Sequence, residues 1–264
     1  MAEFETVLYD VAGRVATVTI NRPERHNAMS PQVMAELREA FAAAKADVDV
    51  HAVVLAGAGE KAFCAGADLG ASFVGDDLPG PLDLHHARGH LADLFRDMWR
   101  LGKPIVARVQ GYCLAGGMGL ALACDFVMAS ERATFGAPEI DRGLWPMMIS
   151  VVLMDAMAPK TALELMMTGR RVGAAEAARI GFVRSVSAPE ELDAHVAEFV
   201  GVLTSKSPAI LHLGRDAFYA TRDMPRDAAL AYLQAMLSVN TTAEDTAEGI
   251  AAFMQKREPE WKGR

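Results

Sequence analysis

The chain has 264 residues, 52% of them hydrophobic, a net charge of −8 and three cysteines. That length and apolar content suffice for one large domain or a domain with an appendage, and the acidic balance argues against nucleic acid as a partner. Met1–Thr6 has no basic stretch leading into an apolar run, and no run of about 18 apolar residues follows anywhere, so neither a secretory signal nor a membrane partner is expected. Cys64, Cys113 and Cys124 are odd in number and sit among Ala, Phe and Leu. They read as reduced, buried thiols of a cytoplasmic protein.

In chain order, 7–10 and 14–20 form a hairpin around Gly13, with the β-formers Val15, Val18 and Ile20. Ser30-Pro31 is a helix start, a cap followed by a first-turn proline. The helix over 32–46 then places Val33, Leu37 and Phe41 on one face. A short apolar strand at 52–55, a Gly/Pro-rich loop at 70–82, a helix over 84–101 and a strand at 105–110 follow. The glycine cluster of 111–125 opens an Ala/Leu helix, and 126–129 and 133–135 are short strands. This alternation implies an α/β core with crossover connections.

Beyond about residue 145 the pattern turns helical, over 150–157, 160–167, 174–180, 189–204, 208–221, 226–237 and 243–257. The last of these carry Leu211, Leu213, Phe218, Leu230, Leu233, Met236, Leu237 and Phe253. A tail alone cannot bury them, so they are expected to dock on the core or on another subunit.

Four segments bear on chemistry. In the run Gly111-Tyr-Cys-Leu-Ala-Gly-Gly-Met-Gly119, glycines 116, 117 and 119 let another group approach bare backbone, and the first free N–H groups of the helix face that space. Such a place suits a phosphate or an oxyanion that forms during reaction; tight packing of helix on sheet is the plain alternative. Gly57-Ala-Gly59-Glu-Lys-Ala62 after a strand fits a dinucleotide fingerprint, with Asp76 at a suitable distance. Gly66 interrupts the helix this would need, and no tyrosine is followed four places later by lysine. His86 and His90 have metal spacing on a helix but lack a carboxylate or a second pair, so no metal is assigned. Glu139 lies among Phe135, Ile140, Leu144, Trp145, Met147 and Met148. Apolar surroundings raise a carboxyl pKa and suit it to proton transfer, whereas pairing with Arg142 would make it structural. Asp141 would share its face if the segment were extended, and Asp68 reads as a turn or helix cap.

Taken together, Asn21-Arg-Pro-Glu-Arg-His-Asn27-Ala28, Lys61-Ala-Phe-Cys-Ala-Gly-Ala67-Asp-Leu69, Gly111 to Asp125, and Phe135-Gly-Ala-Pro-Glu139 resemble the crotonase (enoyl-CoA hydratase/isomerase) superfamily in order and spacing. Thr168-Gly169 through Glu176-Ala177, Gly181-Phe-Val183 and Glu248 to Arg257 extend the likeness over essentially the whole chain. The resemblance implies a spiral of ββα units over 1–195 and a helical oligomerisation region over 196–264, assembled as a homotrimer or a dimer of trimers. It implies an acyl-CoA thioester substrate, with coenzyme A part of that substrate and no separate cofactor. It also implies that the N–H groups of Ala67 and Gly116 hold the thioester oxygen while Glu139 moves protons. Arg25, His26 and Lys61 would face the CoA phosphates. Ala28, Ala65, Asp68, Leu69 and Leu114 would line the substrate site, and Phe253 and Lys256 would complete it, from a neighbouring subunit if need be. Classical hydratases of the family carry two glutamates. The later matches Glu139 and the earlier falls on Gly119, which favours double-bond isomerisation over hydration.

Overall fold

A computed structural model describes residues 4–68 and 80–264. Alternating β-formers build the opening hairpin: β1 (Val7–Ala12) and β2 (Val15–Ile20) pair antiparallel around Gly13, whose φ is +60°. Ala16, Val18 and Ile20 face the core, the period-2 consequence of one buried sheet face. After a single 3-10 turn at Pro23–Arg25 comes α1 (Pro31–Ala46), capped by Ser30, whose Oγ accepts the Val33 N–H at 3.2 Å.

Each following unit then repeats one plan. A longer strand joins the main sheet, a three-residue strand joins a second sheet, and a helix closes the unit. The first is β3 (Ala52–Gly57), β4 (Ala62–Cys64) and α2 (Pro81–Trp99). The second is β5 (Ile105–Val109), β6 (Tyr112–Leu114) and α3 (Gly116–Leu122). The third brings β7 (Phe126–Ser130), β8 (Thr134–Gly136), a 3-10 turn at Pro138–Arg142, α4 (Ile149–Ala156) and α5 (Pro159–Thr168). It is followed by β9 (Arg171–Gly173), α6 (Ala174–Ile180) and β10 (Ser185–Ser187). Among the described residues the strands form a six-stranded sheet in the order β1-β2-β3-β5-β7-β10 and a four-stranded sheet in the order β4-β6-β8-β9. All pairings are parallel except β1 with β2 and β8 with β9. This is the expected α/β spiral of ββα units. The short strands β4, β6, β9 and β10 are additions to the sequence reading.

The main core is packed around Phe41, Phe63, Phe135, Met118 and Leu120. A smaller cluster fills the opposite sheet face, where Val54, Val106 and Met128 meet Leu192, Val196 and Val200 of α7 (Leu192–Thr204). The expected division at 195/196 therefore cuts through a helix whose two halves both pack on the sheet. The change in packing comes after it, with α8 (Pro208–Thr221), α9 (Arg226–Asn240) and α10 (Glu244–Gln255). Helix α8 docks on the core through Arg215, whose Nε lies 2.9 Å from Asp125 and whose other nitrogens donate to the carbonyls of Trp99 and Met98. Helix α9 buries no residue. Among the described residues no helix is long and apolar enough to cross a membrane.

Candidate active site

Two chain crossings meet at the edge of the second sheet. In the first, the Met29 N–H donates to the Gly66 carbonyl at 2.8 Å and the Asp68 N–H donates to the Met29 carbonyl at 2.9 Å, bridging Met29 with Ala67 in parallel. Both of those bonds come from the residues flanking Ala67, so the N–H of Ala67 itself turns to the other side. In the second crossing, β6 ends at Leu114, and Ala115 adopts φ +52°, ψ −129° before α3 begins at Gly116. A side chain with positive φ is strained by about 1–3 kcal/mol, and such strain gathers at functional sites. The Ala115 N–H donates to the Gly136 carbonyl at 2.8 Å.

The crossings touch through glycine. A Cβ on Gly66, whose φ is +97°, would stand 2.7 Å from the Ala115 Cβ and 3.4 Å from the Gly116 nitrogen. A Cβ on Gly116 would stand 2.8 Å from the Met29 Cε. The segment carrying Ala67 and the start of α3 are thus in contact, with the Ala115 Cβ and the Met29 methyl packed at the joint.

Glu139 reaches the same edge from β8. Leu114 is paired with Gly136, and the 3-10 turn carrying Glu139 follows directly. Glu139 is half-buried, and its Oε2 is buried with no hydrogen-bond partner among the described residues. Burial raises its pKa, offset in part by its own backbone N–H and by Arg142. Arg142 does not neutralise it by direct pairing, since its Nη1 donates to the Pro138 carbonyl at 3.1 Å. A buried carboxyl oxygen left unpaired is equipped to take and return a proton.

One turn into α3, the site is closed. A Cβ on Gly119 would lie 2.3 Å from the Ile149 Cγ2, 2.9 Å from the Ile149 Cβ and 3.1 Å from the Phe95 Cζ. The chain therefore does more than lack a side chain at position 119; its neighbours fill the place where one would begin.

Tyr112 lies beside His26 and the backbone of Lys61. Arg25, His26 and Lys61 are exposed; the His26 ring centroid is 6.4 Å from that of Tyr112, and the Lys61 carbonyl accepts the Tyr112 N–H at 3.0 Å. Arg171, absent from the sequence reading, stands 5.6 Å over the Tyr112 ring. Its only sequence signal was a basic residue opening a strand too short to recognise. The Ala65 N–H donates to the His26 carbonyl at 3.1 Å, Ala28 is held by Arg22, and Leu114 is buried.

The structure bears on several further expectations. Asp68 is not merely a turn cap: its carboxylate pairs with Arg22 at 3.0 Å. The segment holding Asp141 is a 3-10 turn and not a strand, so Asp141 does not share a face with Glu139; it is exposed and directed at Gly169. The Gly57–Gly59 turn leads into β4 and not into a helix, which removes the N–H cradle that a dinucleotide requires. His86 and His90 are exposed on α2, and among the described residues no cluster of His, Cys, Asp or Glu could hold a metal. Leu69 and Asp76 lie outside the described residues. Phe253 is 85% exposed on α10, which is tied through Asp245 to Ser207 at the start of α8 and to Lys262 of the tail. An open cavity of about 630 Å³, lined by Trp99, Phe126, Val152, Leu211, Phe218 and Tyr219, lies between the core and α8, away from all of these groups.

The sequence profile described as Enoyl-CoA hydratase/isomerase matches residues 10–264. The chain belongs to that family. It is 38% identical over 266 residues to a probable enoyl-CoA hydratase of Rhizobium meliloti, covering 99% of both chains. It is 33% identical over 258 residues to the (E)-benzylidenesuccinyl-CoA hydratase of Thauera aromatica, covering 97% of this chain and 99% of the other. The crystal structure of an enoyl-CoA hydratase from Mycobacterium smegmatis superposes with a TM-score of 0.92 at 33% identity, covering 97% of this chain and 99% of that one. The spiral is thus the crotonase fold, and this member of the enoyl-CoA hydratase/isomerase family is an acyl-CoA enzyme.

Proposed function

We propose that this enzyme moves a proton between carbons of an enoyl-CoA thioester, with Glu139 as its sole acid/base. The Glu139 carboxylate removes a proton from C2 or C4. The electron pair of the broken C–H bond passes into the thioester, and the resulting oxyanion is held by the N–H groups of Ala67 and Gly116. The carboxyl then returns the proton to the other carbon, leaving a shifted double bond and no net change in oxidation. Each amide donor is worth about 3–4 kcal/mol at such a transition state. CoA enters as part of the substrate, and the proton shuttle consumes no separate cofactor. Arg25, His26 and Lys61 draw its phosphates, while Ala28, Ala65, Asp68 and Leu114 line its path.

The observation that carries this reading is the filled space at Gly119. Adding water across a double bond needs a group to activate the water as well as one to deliver the proton, and loss of a positioned acid/base typically costs about 10²–10⁴ in rate. With Ile149 and Phe95 where a second carboxylate would begin, no activator of water can start from position 119, while Glu139 can still move protons. A second reading, hydration with a substrate group supplying the missing function, draws on the hydratase names of the relatives from Rhizobium meliloti and Thauera aromatica.

A panel of enoyl-CoA thioesters incubated in heavy-oxygen water and read by mass spectrometry separates the two. Double-bond migration without oxygen uptake is expected. Oxygen entering the product at rates usual for a hydratase overturns the isomerase reading in favour of the second, and an inert panel points to a non-catalytic acyl-CoA-binding protein.

The C-terminal region beyond residue 195, in practice α8–α10, is proposed to join copies into a homotrimer or a dimer of trimers, which would also bring Phe253 and Lys256 to a neighbour's CoA.

A further inference from the structure

Resting on the reading of the Ala67 amide as an oxyanion donor, we infer that Arg22 is the positioning residue that holds this amide in place. The Arg22 Nη1 donates to the Ala28 carbonyl at 2.7 Å, and its Nη2 donates to the Asp68 carboxylate at 3.0 Å. Ala28 and Asp68 are the immediate neighbours of Met29 and Ala67, the two residues of the parallel bridge. One guanidinium therefore staples both strands of the bridge, a residue away from the amide.

The staple is itself anchored. The Arg22 backbone N–H donates to Asn27 Oδ1 at 3.0 Å, and Asn27 Nδ2 donates to the carbonyls of Ala58 at 2.9 Å and Ala62 at 2.8 Å. Asn27 is wholly buried and held at φ +56°. The side chains of Arg22 and Asp68 are only 18% and 17% exposed, so their pairing escapes most of the screening that makes surface ion pairs weak. Only a planar fork can serve a carbonyl and a carboxylate in fixed directions at once; an ammonium acts as a point charge. An oxyanion donor must be held within about 0.5 Å of its productive place, and a misplacement of about 1 Å can cost 10²-fold in rate.

The test uses Arg22→Gln, Arg22→Lys and Asp68→Ala, with steady-state kinetics and the absorption of bound cinnamoyl-CoA, whose conjugated thioester reddens when its carbonyl is polarised. For Arg22→Gln, kcat is expected to fall roughly ten- to a hundredfold with KM changed little, and the red shift to shrink. Arg22→Lys should fall between it and the unmodified enzyme, and Asp68→Ala should resemble Arg22→Gln, with the double variant little worse than either. Loss of thermal stability with full kcat and an intact red shift in the folded variants means a merely structural role and overturns the inference. Should Arg22→Gln fail to fold, Arg22→Lys and Asp68→Ala decide it by the same two readouts. If the unmodified enzyme shows no red shift, the oxyanion reading itself fails, an outcome distinct from an intact shift in the variants.

Discussion

Glu139 carries its charge where burial opposes charge, and this ties activity to stability through one group. Its folded pKa lies above the ordinary carboxylate range because desolvation outweighs Arg142 and the backbone N–H. In the pH window between the unfolded and the raised folded value, the native state binds a proton that the unfolded chain has released. Stability from this group is therefore fully present below the unfolded pKa and falls as pH rises through the folded one. At neutral pH the ionised carboxylate is a net cost. Glu139→Gln is accordingly expected to unfold at higher temperature than the unmodified protein at pH 7, with the gain shrinking toward pH 4 in a calorimetric series, while turnover drops by about 10²–10⁴. In the unmodified enzyme, kcat/KM should rise with pH through an ionisation above the ordinary glutamate value. The three thiols follow the same logic: all are buried, and burial pushes Cys64 up to about 12 and raises Cys113 and Cys124 as well. Reading them as inert needed only their apolar neighbours in the sequence.

At the scale of elements, the joint between α3 and α4 decides more than either helix. In an isolated helix, replacing glycine by alanine gains about 1 kcal/mol. At position 119 the new Cβ meets the branched Ile149 side chain, and overpacking of this kind costs about 1–3 kcal/mol. Gly119→Ala is thus expected to destabilise by up to about 2 kcal/mol in urea unfolding. Combined with Ile149→Ala, which alone opens a cavity worth about 2–5 kcal/mol, it should cost less than the sum of the two. The sign of the single substitution was not readable from helix propensity, because it depends on a residue thirty places away. Apart from β8, the second sheet was equally hidden. A three-residue strand such as Tyr112–Leu114 has too few positions to show a period, and it exists because β4 and β8 flank it. By contrast α1, with its Ser30-Pro31 start, and the hairpin around Gly13 were legible because the signals that start and end them are local.

For the whole molecule, the C-terminal helices leave an account open. Leu230, Leu233 and Leu237 of α9 are 66%, 40% and 63% exposed, and Phe253 on α10 is 85% exposed. Covering a leucine fully is worth about 1.5–3 kcal/mol, so a face of this kind is a strong drive to assemble. Leu230→Asp together with Leu237→Asp is expected to shift sedimentation from trimer to monomer with helical circular dichroism retained; an unmodified protein that sediments as a monomer would remove the basis for assembly. Met147, Met154, Leu163 and Met167 on and around α4 and α5 are also largely exposed and offer apolar area on the core side of such an assembly.

The helices, the longer strands of the main sheet, the glycine opening of α3 and the apolar company of Glu139 were determined by the sequence alone, because caps, periodicity and composition act over a few neighbouring residues. The tertiary structure decided which groups face one another. It set the Ala67 segment against Gly116, Ile149 in the space beyond Gly119, Arg22 across Ala28 and Asp68, and Asp141 away from Glu139. Apart from Arg22 with Ala28, six places apart, and Asp141 with Glu139, two apart, those pairings span 30 to 49 positions, and contacts at such separations follow from how whole units stack, which no local pattern encodes.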